Sequence, residues 1–167
     1  NKYDRRAVSA DVSRNTMRAL AWFRNAIRKD RTNFGDVSEK LETTSRPQAG
    51  QMLTYEYDPK HKKKLPFYDM YPLIIFLEPA EGGFYGANLH YLAPAMRQKL
   101  FEELNHNRVN MAAVKSKLER NPMTKQCLKR YLFGHLRSKL KVIPKKDWEI
   151  AIFLPFEKFV GETKSKV

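Results

Sequence analysis

A chain of 167 residues is predicted to form one domain, long enough to bury a hydrophobic core. Its single cysteine, Cys127, excludes an internal disulfide, and no apolar run approaches the roughly 20 residues of a membrane span. Lysine and arginine outnumber aspartate and glutamate by 32 to 18, and the net charge of +14 predicts an acidic partner: nucleic acid, an anionic membrane or an acidic protein surface.

The first 49 residues are predicted to precede the core. Asn1–Val12 has several charges and no periodicity, which predicts an extended basic arm. Ser13 is a favoured N-cap before apolar residues at helical spacing, so we expect a helix from Ser13 to about Lys29. Thr32–Ala49 is predicted to be a linker with a short helical turn at Val37–Leu41.

Residues 50–92 carry most of the strand signal. Met52–Tyr57 is rich in β-favouring residues, and the continuous apolar run Leu73–Leu77 predicts a strand buried on both faces. Glu81-Gly82-Gly83 predicts a turn, after which Phe84–Leu92 returns as a partner strand. Lys60–Lys64 contains four lysines and one histidine, so we expect an exposed tip.

Residues 94–141 predict a helical insertion. Pro94 suits the first turn of a helix whose apolar face is Met96, Leu100, Phe101 and Leu104. Met111–Leu118 has a second helical pattern, and Asn121-Pro122 predicts the start of a third helix that runs to about Leu140.

The segment 147–160 is predicted to close the fold, with Glu149–Leu154 as a strand that rejoins the sheet, and 161–167 is a tail. The expected fold class is therefore α+β. It consists of a small, curled antiparallel sheet with an N-terminal helix and a helical insertion before the last strand. The sheet is expected to be barrel-like, and an SH3-like barrel is one form it could take.

The basic residues are concentrated in two places. No acidic residue lies between Asn121 and Lys146, whereas an ordinary solvated helix face usually carries both signs. We therefore favour a polyanion-binding surface over a plain solvated face. The candidate residues are Lys60, Lys62, Lys63, Lys64, Lys125, Lys129, Arg130, Arg137, Lys141, Lys145 and Lys146.

The sequence gives little support for catalysis. It has no glycine-rich phosphate loop or paired-cysteine site, and its four histidines lack ligand spacing, so no metal, cofactor or small-molecule substrate is expected. The enzyme that deserves a test is a nuclease, in which Asp58, Asp69 and Glu78 would hold a metal ion beside Lys60. Asp58-Pro59 and Glu78-Pro79 are also typical of strand-to-turn boundaries, and that interpretation is favoured.

Many aromatic residues lie close in sequence to the lysine tip, and such an arrangement can stack the bases of a single strand. Core packing and cross-strand pairing are the more common role of aromatics in a small sheet, and we favour it. The residues are Tyr55, Tyr57, Phe67, Tyr68, Tyr71, Phe84, Tyr85 and Tyr91.

Three stretches resemble a family of small proteins of T4-like tailed bacteriophages, which includes DNA end protectors and structural proteins of the virion. They are Tyr57–Lys60, Leu65–Leu73 and Gly83–Leu92; Lys129–Leu132, Trp148 and Leu154-Pro155 are also similar. The resemblance covers about two-thirds of the chain, from Trp22 onward. It implies a component of the phage virion that is made in the cytoplasm of the host bacterium.

Three hypotheses follow. The leading one is a non-enzymatic virion protein whose basic faces contact packaged DNA or its end by neutralising phosphates, without reading bases. The alternative is a structural joint of the neck, tail or baseplate that binds acidic protein neighbours. The third is a weak metal-dependent nuclease. None of them involves a membrane.

Overall fold

The computed structural model describes residues 41–60, 63, 65, 67–105, 110–153 and 159–161. The predicted basic arm, the helix from Ser13 and half of the linker (32–40) lie outside these ranges. The strands of the described part are β1 (Glu42–Thr44), β2 (Met52–Thr54), β3 (Phe67–Asp69), β4 (Leu73–Ala80), β5 (Gly83–Asn88), β6 (Leu128–Leu132), β7 (Leu140–Ile143) and β8 (Phe159–Gly161). The α-helices there are α1 (Pro94–Leu104), α2 (Met111–Arg120) and α3 (Trp148–Ala151).

Six of these strands form one antiparallel sheet, in the order β1-β7-β2-β4-β5-β6. The described sheet is open, because β1 and β6 are its two edges. The α+β class is thus confirmed in its mixed composition and its antiparallel sheet, whereas barrel closure is not seen. β1 lies within the segment predicted to be a linker.

The central strand β4 is buried on both faces, as predicted. Leu73, Ile75 and Leu77 belong to one hydrophobic cluster. Ile74 and Phe76 belong to a second cluster on the opposite side. Successive side chains of a strand point to opposite faces, so a continuous apolar run requires a cover on each side of the sheet.

The two helices that follow the β4–β5 hairpin cover the first cluster, and both were predicted. Pro94 occupies the first turn of α1, where its missing N–H leaves no bond unmade. Asn110 caps α2 by accepting hydrogen bonds from the backbone N–H groups of Ala112 (2.9 Å) and Ala113 (3.3 Å). Leu100, Leu104, Val114 and Leu118 are buried in the cluster, and Met96 and Phe101 pack against it.

The third predicted helix, from Pro122 to Leu140, is wrong. Asn121 ends α2, and a 3-10 turn at Lys125–Cys127 leads into strand β6. The apolar residues from Leu128 to Leu140 have helical spacing. However, β6 gains a ladder of hydrogen bonds with β5 and buries Tyr131 in the second cluster. A local pattern cannot reveal that long-range pairing.

The predicted closing strand, Glu149–Leu154, is also wrong. Trp148–Ala151 is helical. The helix begins at Trp148, whose indole N–H donates a hydrogen bond to the carbonyl of Ile143 at 2.9 Å. A late strand does return, but it is β8, and it pairs with β3 in a separate two-stranded sheet. The predicted strand Phe84–Leu92 ends earlier, at Asn88, where Leu89–Tyr91 forms a 3-10 turn.

Gly83, at the start of β5, occupies a position where no other residue fits. Glu81 and Gly82 form the predicted turn, and Gly82 has a φ of +71°. The next residue, Gly83, pairs with β6, and a Cβ at this position would lie 1.7 Å from the carbonyl oxygen of Tyr131. The hairpin and the edge strand can therefore approach only because Gly83 has no side chain.

We predict that Gly83→Ala lowers the free energy of unfolding by about 2–3 kcal/mol, since β6 must shift to accommodate the methyl group. Gly134→Ala is the matched control, because a Cβ there meets nothing within 4 Å. Urea denaturation of both variants measures the difference. Equal stability of the two variants would contradict the close approach of β5 and β6.

Candidate nucleic-acid interface

The structure describes nine of the eleven basic residues singled out from the sequence; Lys62 and Lys64 lie outside the described ranges. The exposed ones are Lys60, Lys63, Lys125, Arg130, Arg137, Lys145 and Lys146, and the half-buried ones are Lys129 and Lys141. They do not lie on one helix, because the predicted helix is absent. Lys129 and Arg130 lie on β6, Lys141 lies on β7, and Lys145 begins the turn before α3.

A cavity of about 410 Å³ brings three of these cations together with four tyrosines. We call it the tyrosine–lysine cavity. Its lining residues are Tyr57, Pro59, Lys60, Leu65, Tyr68, Asp69, Tyr91, Lys129, Arg130, Tyr131 and Leu132. The loop after β2, strand β3, the turn after β5 and edge strand β6 all contribute to it.

Aromatic contacts fix the inner wall of this cavity. The rings of Tyr57 and Tyr131 meet edge to face, with centroids 4.9 Å apart. The Tyr57 hydroxyl accepts a hydrogen bond from the backbone N–H of Leu132 at 2.9 Å. Tyr131 also contacts Tyr55 edge to face, at 5.4 Å. The end of β6 is therefore held against the segment after β2 by buried tyrosines, and the core interpretation is confirmed for Tyr55 and Tyr57.

Lys129 is the most constrained cation in the cavity. Its Nζ lies 4.2 Å from the centroid of the Tyr91 ring, and burial lowers the pKa of this lysine because desolvation disfavours the charged form. Burial also raises the pKa of Tyr91 to about 12, with the charge of Asp69 adding to the effect. Among the described residues, no carboxylate forms a salt bridge with Lys129.

Three described cations outside the cavity pair with carboxylates, whereas those that line it do not. Arg137 pairs with Asp58 at 3.2 Å, Lys115 with Glu78 at 2.6 Å and Lys117 with Glu103 at 3.3 Å. In the cavity, Arg130 donates to the backbone carbonyl of Glu81 at 2.6 Å, which leaves its charge uncompensated. The cavity thus collects cations that no described carboxylate neutralises.

Asp69 lies in the wall of the cavity, within a buried hydrogen-bond network. Its Oδ2 is 2.6 Å from Nδ1 of His90 and accepts from Nδ2 of Asn88 at 3.2 Å. Its Oδ1 accepts from the backbone N–H of Tyr71 at 3.0 Å. Burial alone would raise the pKa of this carboxyl, but its interactions with His90, Asn88 and Tyr71 hold it below its usual value. Because an ionised carboxylate only accepts, Nδ1 of His90 carries the hydrogen.

The three carboxylates of the nuclease hypothesis have different partners. Asp58 pairs with Arg137, Glu78 with Lys115, and Asp69 with His90. In the described ranges, no group of three or more metal-ligating side chains is placed to hold a metal ion. These three residues are therefore accounted for by two ion pairs and one buried hydrogen bond within the fold.

The remaining candidates do not join the tyrosine–lysine cavity. Arg137 comes near it through Asp58, which precedes the lining residue Pro59. Lys145 lines a second cavity of about 760 Å³, between the start of α2 and the end of β7. Lys141 lies on β7 opposite Thr43 and Thr54.

Two features of the candidate site were not found from the sequence. One is the pairing of Lys129 with Tyr91, because the predicted helix placed Lys129 on a basic face directed away from the sheet. The other is the network around Asp69 and His90, which lie 21 positions apart and meet only when β3 packs beside the end of β5. The sequence signal that could have indicated this network is the adjacent pair Tyr68-Asp69. It places an aromatic and an acidic residue between two apolar runs.

Comparison with known proteins gives one match. A protein-family model described as Phage T4 terminal DNA protecting protein matches residues 2–166, nearly the whole chain. No curated protein and no solved structure matches the chain significantly. None of the helices in the described ranges has the length and apolar content of a transmembrane segment.

We predict that Asp69→Asn lowers the free energy of unfolding at pH 7 by about 1–3 kcal/mol, because a buried charged acceptor is lost. The folded-state pKa of Asp69 is depressed, so its contribution is complete above the ordinary carboxyl pKa of about 4. That contribution is lost as the pH falls through the lower folded-state value. The variant should therefore lose less stability than the wild type between about pH 5 and pH 2.

Chemical denaturation at a series of pH values measures this dependence. Glu81→Gln is the matched control, since Glu81 lies exposed in the β4–β5 turn. An Asp69→Asn variant that loses stability in acid as steeply as the wild type would show that the network does not hold Asp69 ionised.

Proposed function

Because the chain belongs to the Phage T4 terminal DNA protecting protein family, we propose that it binds the end of a duplex DNA and shields it. The role is non-enzymatic. Lysine and arginine side chains neutralise phosphates without reading the bases, and the bound domain covers the strand ends. In the phage particle, the protein would lie where an end of the packaged DNA is accessible.

One observation carries this proposal: in the part of the chain that the structure describes, most of the candidate cations form no salt bridge with a carboxylate. Among the described basic residues of the segment 121–146, only Arg137 forms a salt bridge with a carboxylate. The others form no salt bridge with a described carboxylate, although like charges on a small domain repel one another. Contact with DNA phosphates offsets that repulsion and releases counterions.

The family description adds what charge alone cannot supply. A net charge of +14 fits any polyanion, including an acidic protein surface. The family is named for protection of terminal DNA, so DNA is the polyanion that we assign. Protection needs no catalytic group, because an exonuclease that works from an end requires access to that end.

We predict that affinity for a linear duplex falls steeply with salt, with a log–log slope of about −5 if some six side chains engage phosphates. Replacing Lys62, Lys63 and Lys64 together by Gln should flatten the slope by up to about 3, because each lost phosphate contact removes about 0.9. Fluorescence anisotropy at several salt concentrations measures the slope.

The matched control is Lys115→Gln with Lys117→Gln, since both lysines already pair with carboxylates. Its slope should equal that of the wild type. The same preparations are then tested for protection of a linear duplex against an exonuclease. A slope near zero together with unprotected ends would remove DNA as the partner, and the structural joint would become the better hypothesis.

A further inference from the structure

We propose that the tyrosine–lysine cavity takes the unpaired terminal nucleotide of a DNA strand, with its base among the tyrosines and its phosphate at Lys129, Lys60 and Arg130. This inference rests on the proposed function and goes further, because it assigns the preference for an end to one site. The exposed lysines elsewhere contact any duplex equally well.

The size of the cavity suits this ligand. Its volume of about 410 Å³ is in the range of pockets that hold small molecules, and it is lined by apolar and aromatic surface with a few polar groups. A nucleotide that remains stacked and paired cannot enter a cavity of this kind, since enzymes that act on one base must first remove it from the duplex. At a strand end the neighbouring stack is missing on one side, so an unpaired nucleotide is available without that cost.

The tyrosines offer surface for a base. Tyr57 and Tyr131 are buried and hold each other edge to face, so they form a rigid inner wall. Tyr68 and Tyr91 are only half-buried, which leaves part of each ring accessible from the cavity. Stacking of bases on aromatic rings contributes to the binding of single strands and tolerates any sequence.

The cations offer the matching site for a phosphate. Lys129 is half-buried over the Tyr91 ring, and Lys60 and Arg130 line the same cavity. Within the described ranges no carboxylate forms a salt bridge with any of the three. A partly desolvated cation that lacks an anion is in a less favourable state than a paired one, and a phosphate would supply the missing charge.

The one acidic group in the wall does not compete for these cations. Both oxygens of Asp69 accept hydrogen bonds, from His90, Asn88 and Tyr71. Its carboxylate is therefore directed into the protein's own network. The cavity is lined by three cations and one carboxylate, so its net charge is positive. A positive charge favours the binding of a phosphate.

The test compares three DNAs of equal duplex length: a dumbbell whose two ends are closed by loops, a blunt linear duplex and a linear duplex with a short unpaired 3′ overhang. Fluorescence anisotropy at one salt concentration measures their affinities for the full chain. We expect the overhang to bind about 10-fold more tightly than the dumbbell, because the stacking of one base on an aromatic ring contributes a difference in affinity of about that size. The blunt duplex should lie between them.

Variants assign the preference to the cavity. Lys129→Gln, Tyr68→Leu and Lys60→Gln should each reduce the ratio of overhang to dumbbell affinity toward one. Lys145→Gln removes the same charge outside this cavity, so it should weaken both DNAs alike and keep the ratio. Lys60 is exposed, so its variant tests the site even where the half-buried positions unfold; thermal melting identifies such a loss.

The outcomes separate the two proposals. Equal binding of the dumbbell and the overhang by the wild type would overturn the cavity assignment while DNA binding stands. Equal binding of the blunt and overhang duplexes, both above the dumbbell, would show that the end is recognised without an unpaired nucleotide and would also overturn it. Failure to bind any of the three DNAs would overturn both proposals. If Lys145→Gln changes the ratio of overhang to dumbbell affinity as much as Lys129→Gln does, the preference for an end lies outside the cavity.

Discussion

The burial of β4 on both faces is the constraint on which the rest of the described fold depends. Helices α1 and α2 cover one face, and on the other face the side chains of β4 are buried in a cluster of tyrosine, phenylalanine and aliphatic side chains. Polar groups beside such a strand are cut off from water, so they must be satisfied within the protein. Thr54 does so by donating its hydroxyl to the carbonyl of Pro72 at 2.9 Å, and Asn88 donates to both Asp69 and Tyr131.

The tyrosine–lysine cavity is a consequence of that second face. The aromatic cluster continues past the end of β2 to Tyr57 and carries Tyr131, which lies on edge strand β6. Gly83 lets β6 approach the hairpin closely, and the two residues that precede Tyr131 in β6 line the same cavity. Lys129 and Arg130 therefore reach a cavity whose floor is hydrophobic. The position of these charges is set by packing around them, and no local charge pattern could place them there.

The sequence predicted those elements whose signals are local. Four predicted elements each depend on a few neighbouring residues, and each is confirmed. They are the strand Leu73–Leu77, the turn at Gly82, the start of α1 at Pro94 and helix α2. It failed where long-range pairing decides, since Leu128–Leu140 has helical spacing but β6 is stabilised by β5, more than 40 positions earlier. The basic character of the candidate interface was readable from composition. Its convergence on four tyrosines was not, because the loop after β2, strand β3, the turn after β5 and strand β6 together build the cavity.

Burial also separates two kinds of charge on this protein. In the function that we propose, exposed lysines such as Lys63 and Lys146 contact phosphates through water and mobile ions, and salt screens such contacts over roughly 8–10 Å. Lys129 is half-buried above an aromatic ring, where screening is weaker and a contact with an anion is correspondingly less sensitive to salt. As the salt concentration rises, DNA binding by the exposed lysines should therefore weaken before binding in the cavity does. In the function that we propose, that difference favours a protein that stays at an end over one that spreads along the duplex.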